Sequence, residues 1–419
     1  MNNGTAAVPE PGRRAQEAPD AGDAGGEPIR VTTLELFFDL IFAFTLTQLA
    51  VLLTHHAHGL RVLPVLLIFG LLWWMYGGYA WLTNTRAPVR NPERLLLILG
   101  MTGFLIAGLA IPRAFGGAGV AFGIGYLLVV LVHAMLYARV NAQIWRIAPF
   151  NVTSALVVIG AGFVTGFAQY ALWVYALIIQ ALAPLIVRLA GRFDIRPAHF
   201  AERHGALIIV AIGESVAAIG IGASDKAVSA QLILAAVLGL ALAVTFWWMY
   251  FGSGDDEAGE LAMRAAGESK RPRLALSAYF YAHMPMLLGI VFAAAGVAEA
   301  VRHGLAASLP GAFALGVGAA AFIGGTAAFR AALRTGPTKL RLAGAVFALL
   351  TIPLGALVTI EAQLALITAG FVVMLLVEGV PGRVPARSQA MVARGDDPLE
   401  PPAVRPRGND PADRPAEAE

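Results

Sequence analysis

Long apolar runs follow one another along this chain with few polar interruptions. Residues 33–54, 62–83, 94–112, 118–139, 150–167, 169–188, 203–222, 228–251, 274–296, 309–331, 341–360 and 362–380 are such runs. Each approaches the roughly 20 mostly apolar residues that carry a helix across about 30 Å of hydrocarbon. The fifth and sixth runs, and the eleventh and twelfth, are so close in sequence that tight helical hairpins are predicted there. The pattern therefore predicts an all-α membrane protein of about 12 transmembrane helices. Residues 1–30 and 381–419 are rich in Gly, Ala, Pro and charge, and are expected to form disordered cytoplasmic tails. The first tail has no basic stretch running into a short apolar core, so it is not a secretory signal.

Composition agrees. Hydrophobic residues make up 58% and charged residues 14%, with a mean hydropathy of +0.70. A soluble chain carries roughly 25% charged residues. The absence of cysteine excludes disulfides, thiolate metal sites and cysteine nucleophiles. A net charge of +3 is too mild to signal nucleic-acid binding, and no nucleic-acid partner is expected.

The placement of the positive charge is more telling than its total. Even-numbered connections between spans hold 17 Lys and Arg, from Arg86, Arg90 and Arg94 through Arg330, Arg334, Lys339 and Arg341. Odd-numbered connections hold 4: Arg61, Arg113, Lys226 and Arg302. The positive-inside rule then places both termini and the even connections in the cytoplasm of a bacterial cell, with the protein in the inner membrane.

The second half repeats features of the first. WWMY closes the second span at 73–76 and the eighth at 247–250. The fourth and tenth spans, AFGIGYLLVVLVHAMLYAR and AFALGVGAAAFIGGTAAFR, begin Ala-Phe and end in Arg at the same offset. The third and ninth begin Arg-Leu, at Arg94 and Arg273. Six helices per unit is an even number, so residues 31–190 and 197–380 are predicted to be two parallel six-helix repeats, related by an axis along the membrane normal. Two independent aromatic belts would also produce WWMY, since Trp and Tyr favour the interfaces.

Functional groups in such folds lie where the halves meet, and polar residues inside spans are costly enough to mark them. In the first span Thr32, Glu35, Asp39, Ala43, Leu46 and Ala50 share one face at about 100° per residue. Glu35 is placed to cap the helix with Thr32 or Thr33, whereas Asp39 lies too deep to cap and is read as buried. The seventh span, HFAERHGALIIVAIGESVAAIG, carries Glu202, Arg203 and His204 at its start and Glu214 with Ser215 near its middle. Its Ala206, Gly213, Ala217 and Gly220 form a small-residue stripe that predicts close helix packing. Glu214 has no neighbouring base in sequence; His133 and His283 are its candidate partners, the latter just before Pro285, which predicts a bend. Either histidine alone also fits a satisfied interior imidazole. Gln180 and Glu361 are secondary candidates. His55, His56 and His58 cluster without Asp or Glu, and neither a metal site nor a cofactor is expected.

LELFFDLIFAFTLTQL in the first span and HFAERHGALIIVAIGES in the seventh resemble the two signature stretches of the bacterial low temperature requirement A (LtrA) family. The resemblance covers about residues 32–380 and implies a multi-pass bacterial membrane protein, without assigning an activity. The pattern Phe37-x-Asp39-x-x-Phe42-Ala43 is also similar to the first-helix Phe-Ser-Asp motif of endosomal and bacterial potassium channels built from six-helix repeats. Phe38 replaces the Ser here, Thr33 stands at that family's arginine, and the seventh span lacks the Asp.

Two function classes follow. In the first, the protein moves a small solute or ion, with Asp39 and Glu214 as proton- or cation-linked groups supported by Glu35, Ser215, His283 and His133. In the second, it is an intramembrane enzyme or a scaffold acting on lipid or envelope adaptation. An enzyme needs a convergent acid–base or metal cluster, and the scattered His and Glu do not supply one, so no catalytic residue is assigned. The lipid bilayer is the one certain partner, and oligomeric state is left open.

Overall fold

The computed structural model describes Met1 and residues 31–54, 61–142, 144–187, 195–224, 226–303 and 305–379. The two terminal tails, the histidine cluster at 55–58, and Arg188 and Arg192 lie outside the described residues. Among the described residues all regular secondary structure is helical. In order it forms α1 (Thr33–Thr54), α2 (Val62–Thr85), α3 (Asn91–Ala110), α4 (Gly119–Ala138), α5 (Ile144–Ala161), α6 (Phe167–Val187), α7 (Pro197–Ala223), α8 (Ala230–Trp247), α9 (Asp255–Ala265), α10 (Arg271–Leu274), α11 (His283–His303), α12 (Leu309–Leu333), α13 (Lys339–Leu350), α14 (Ile352–Leu357) and α15 (Ile360–Glu378). Among the described residues, eleven helical segments are long and apolar enough to cross a membrane; the apolar stretch of α6, Phe167–Ala183, falls short of that length.

The differences from the sequence reading have local causes. The seventh helix starts at Pro197, six residues before the apolar run does, because proline fits the first helical turn, where its missing N–H would be unpaired anyway. Helix α9 was not foreseen. Gly254 in the left-handed region (φ 72°) turns the chain out of α8, and Asp255, Asp256 and Glu257 then favour the positive end of a new helix. The helix is amphipathic: Met263 is buried, and Gly259 lies against Phe329 and Tyr279.

The ninth span is three pieces: α10, a π-helical stretch over Ala275–Ala282, and α11. Pro285 explains part of this. It offers no N–H to the carbonyls four and five residues before it, at Tyr281 and Phe280. The Trp73 indole on α2 donates to the Phe280 carbonyl at 3.1 Å, supplying a donor from outside the helix. The eleventh span breaks at Thr351, just before Pro353, and Thr359 caps α15 by accepting from the Ala362 N–H at 3.1 Å.

Helix α1 lies inside the bundle, packed on α3, α7 and α11, and α7 and α11 also touch each other. Ala43 and Ala50 are buried on that face. Two close hairpins flank this centre. A Cβ on Gly103 of α3 would come within 2.8 Å of the Gly125 carbonyl of α4, and one on Gly289 of α11 within 2.7 Å of the Gly318 carbonyl of α12, so only glycine permits these crossings. The stripe on α7 behaves differently. Gly213, Ala217 and Gly220 are exposed, and a Cβ at Gly213 or Gly220 would meet nothing within 4 Å. The face of α7 that packs inward instead carries Arg203, His204, Leu207, Ile208 and Ala211. From Gly213 to Gly220 the stripe predicted to pack closely therefore has no helix of this chain against it among the described residues, whereas Ala206 is half-buried.

Candidate functional site

The residues that open α1 and α7 meet at one buried cluster. Successive turns of α1 present Glu35 and Asp39, successive turns of α7 present His199 and Arg203, and α2 contributes Tyr76, Thr83 and Asn84, spaced along one face. All seven side chains are buried. The Arg203 guanidinium donates to Asp39 Oδ1 from Nη2 at 3.1 Å and from Nε at 3.3 Å, and its Nη1 reaches Glu35 Oε1 at 3.4 Å and the Thr83 hydroxyl. It also lies over the Phe38 and Tyr76 rings, 5.4 and 5.6 Å from their centroids. That combination of fork and flat face suits arginine and not lysine. The Tyr76 hydroxyl donates to the same Oδ1 at 3.0 Å.

Glu35 does two jobs. Its Oε2 accepts from the Thr32 N–H at 2.9 Å and the Thr32 hydroxyl at 2.8 Å, and its own N–H donates back to Thr32 Oγ1 at 3.3 Å, a reciprocal cap on α1. Its Oε1 faces His199 Nε2 at 3.2 Å as well as Arg203. Asn84 fixes that imidazole. Its Oδ1 accepts from the Arg196 N–H, and its Nδ2 donates to the Arg196 carbonyl and lies 3.3 Å from His199 Nδ1. With an amide donor on Nδ1, the ring proton sits on Nε2 and points at Glu35.

Asp39 Oδ2 stands apart. It is buried and has no hydrogen-bond partner among the described residues. The cluster thus contains two carboxylates and one guanidinium, with an imidazole as the remaining ionisable base and one carboxylate oxygen unmet.

A second ionic cluster supplies the contrast. Asp255 at the start of α9 accepts from Arg330 Nε at 2.7 Å and Arg341 Nη1 at 2.5 Å. Glu378 at the end of α15 accepts from Arg330 Nη1 at 3.2 Å and from Arg341 Nη2 at 3.3 Å. Arg341 also donates to the Met249 carbonyl and the Ser253 hydroxyl. Two acids meet two arginines, both carboxylates are fully used, and the cluster ties α9, α12, α13 and α15 together.

Glu214 is half-buried and accepts from the Thr47 hydroxyl at 2.8 Å. Its partner is therefore on α1, not His133 or His283. Thr47 lies eight residues beyond Asp39, ~12 Å along the helix. With Ser215 and Ala211 of α7, and Ile290 and Ala294 of α11, these residues line a narrow cleft of about 10 Å³. Ser215 itself donates to the Ile212 carbonyl at 2.6 Å. His283 is fully buried: its Nδ1 pairs with the Ala278 carbonyl in the π-helical stretch, and its Nε2 with the Tyr250 hydroxyl, each at 3.0 Å. His204 pairs with the Phe200 carbonyl at 2.8 Å and stacks edge-on against His283, Tyr76 and Tyr279. His133 is buried separately, against Tyr79 and Gly78 of α2. Glu202 is exposed beside the Val31 N–H. Gln180 donates to Tyr126 between α6 and α4, and Glu361 is buried in the first turn of α15 with both oxygens unpartnered among the described residues.

Residues 30–377 match the family profile described as bacterial low temperature requirement A protein (LtrA). The chain belongs to the LtrA family. Over 286 residues it is also 29% identical to an uncharacterized protein of Rhizobium meliloti (strain 1021), covering 64% of this chain and 69% of that protein. The LtrA match spans α1 through nearly all of α15, so both ionic clusters fall inside it except for Glu378, one residue past its end. This LtrA-family member is a multi-pass membrane protein with many apolar helices.

Sequence reasoning missed His199, Tyr76, Thr83 and Asn84 in this LtrA-family cluster, and all four members of the second. A signal existed. His199 and Arg203 are four apart and Tyr76 and Thr83 seven apart, spacings that put each pair on one helix face.

Proposed function

We propose that this LtrA-family protein moves a small solute or ion across the bacterial inner membrane, and that the Glu35–Asp39–His199–Arg203 cluster is its proton- or cation-linked site. The observation that carries this reading is the charge count around Asp39. A buried ionic group that serves packing alone gains most when every charge is matched and every lone pair used, as in the Asp255–Arg330–Arg341–Glu378 cluster. The first cluster has an imidazole where the second has another guanidinium, and it leaves Asp39 Oδ2 unmet. A proton or a small cation completes it, and one that comes and goes changes what holds Arg203. Thr47 and Glu214, further along the same α1–α7 contact, form a second acidic station.

In this reading the twelve helices, α6 included, form two parallel six-helix repeats with α1 and α7 in equivalent places at the centre. The glycine crossings of α3 on α4 and α11 on α12 support it, as does the inward turn of Tyr76 and Tyr250 from the two WWMY copies. Both termini are then cytoplasmic, as is the arginine-rich end of the bundle.

The test is flux in proteoliposomes under imposed proton and cation gradients. Asp39→Asn keeps the shape of the side chain and removes the charge. It is expected to fold and to lose gradient-linked flux, with Glu214→Gln giving a partial loss. Wild-type flux in a well-folded Asp39→Asn protein would leave the cluster as a packing device.

A further inference from the structure

A narrow cleft of about 20 Å³, room for about one water, opens between the ends of α2, α3 and α4 at the arginine-rich end of the bundle. Arg86 and Arg139 line its exposed part, and Leu82, Leu97 and Leu136 its inner walls. One acid, Glu93, reaches it and is paired to Arg86 at 3.1 Å. Arg139 makes no ion pair among the described residues. The innermost polar lining residue is Thr83, whose hydroxyl is the one that Arg203 holds. A single side chain therefore separates this cleft from the buried cluster. The cleft belongs to none of the elements that form the Glu214 station, and the cluster geometry alone does not require it.

We propose that this cleft is the vestibule through which a small water-borne anion reaches Arg203, with Thr83 as the residue that joins the two. The inference rests on the transport reading and names its substrate class. Three facts carry it. The lining has two guanidinium groups against one carboxylate, and that carboxylate is already paired. Low-dielectric leucine walls focus such a field inward rather than letting solvent screen it. Behind Thr83 stands a third guanidinium, Arg203, held by carboxylates that a proton or cation would partly disengage. With Arg86 matched by Glu93, Arg139 is the excess charge at the mouth, so an anion is drawn in there ahead of a cation, and Arg203 becomes open to it once a proton or cation offsets one of its two carboxylates.

The chain has no cysteine, so single cysteines can be placed without background. Thr83→Cys and Val140→Cys mark the inner and outer parts of the vestibule, and Leu136→Cys reads the inner wall without touching Arg203's partner, should Thr83→Cys fold poorly. Each protein, in oriented phosphatidylcholine vesicles, is treated with a membrane-impermeant methanethiosulfonate carrying either a sulfonate or a trimethylammonium group. The inner and outer positions are expected to react from the cytoplasmic face only. The sulfonate reagent should be favoured by about tenfold, relative to a free thiol in solution, a modest case of electrostatic focusing. Arg139→Gln should remove most of that preference. A preference for the cationic reagent overturns the proposal, as does labelling of Val140→Cys with none at Thr83→Cys and Leu136→Cys. Loss of labelling on adding phosphatidylglycerol also overturns it, since the cleft would then hold a lipid headgroup. These results concern access, so they stand apart from the flux of Asp39→Asn: an anion-selective vestibule with no flux would sink the transport reading alone.

Discussion

At the scale of single residues, Arg203 is the centre of the first buried cluster. It bridges two carboxylates, a hydroxyl and two aromatic faces with one rigid group. Arg203→Met keeps the bulk but leaves Asp39 as a buried charge without a counter-ion and Glu35 with the His199 imidazole alone, which costs about 3–5 kcal/mol when a buried pair is broken. The expected result is a large drop in the thermal midpoint of the purified protein in detergent. Adding Asp39→Asn to Arg203→Met should recover part of the loss, because it removes a charge that has no partner. A midpoint unchanged by Arg203→Met would mean that the ion pairs contribute nothing to the fold. Arg203→Lys is expected to fall between the two, since an ammonium restores the charge without the fork or the stacking. Glu35 shows why one residue resists a single assignment. The capping reading of the sequence is present in its bonds to Thr32, and the same carboxylate turns its other oxygen to His199 and Arg203.

At the scale of elements, the π-helical stretch between α10 and α11 matters most. It carries Tyr279 and leads into His283, both set against His204 of α7, with His283 also pairing with Tyr250 just past α8, so its widened turn sets where these rings stand. Trp73 closes the gap that Pro285 leaves at the Phe280 carbonyl. Trp73→Phe removes that donor and is expected to cost about 1–3 kcal/mol, the penalty for a buried acceptor left unmet. Pro285→Ala returns an N–H to the helix, so Trp73→Phe should cost less in that background. Thermal unfolding of the four proteins in this cycle measures the difference, and equal costs in both backgrounds would show that indole and proline act independently. The small-residue stripe of α7 teaches the opposite lesson. Its pattern is a good packing signal, but α1 and α11 lie on the other face of the helix.

At the scale of the whole molecule, the proposed function gives the two ionic clusters different tasks. The balanced cluster joins α9, α12, α13 and α15 and is read as a brace. Arg341→Met is therefore expected to lower stability by about 3–5 kcal/mol, again the cost of breaking a buried pair, while flux per folded molecule stays near wild type. Reconstitution normalised to folded protein measures both. Loss of flux without loss of stability would move this cluster into the transport machinery. The two-repeat arrangement predicts that a reporter fused after residue 380 reads as cytoplasmic, and a periplasmic reading would require an odd number of crossings.

The sequence by itself determined the membrane class, the approximate position of nearly every helix, the LtrA resemblance, and the face on which Glu35 and Asp39 sit. Those properties depend on local hydropathy and on the 3.6-residue period, which any stretch of chain carries within itself. The amphipathic α9, the early start of α7 and the π-helical stretch lay beyond it, since each depends on what packs against a charged or proline-bearing segment. The partners lay further still. Glu214 pairs with Thr47 rather than a histidine, and Asp39 with Arg203, across 167 and 164 residues of sequence. Nothing local encodes such a distance. Only the close packing of α1 beside α7 brings those side chains within a hydrogen bond of each other, and it is that packing which leaves Asp39 Oδ2 the one buried oxygen of the first cluster without a partner among the described residues.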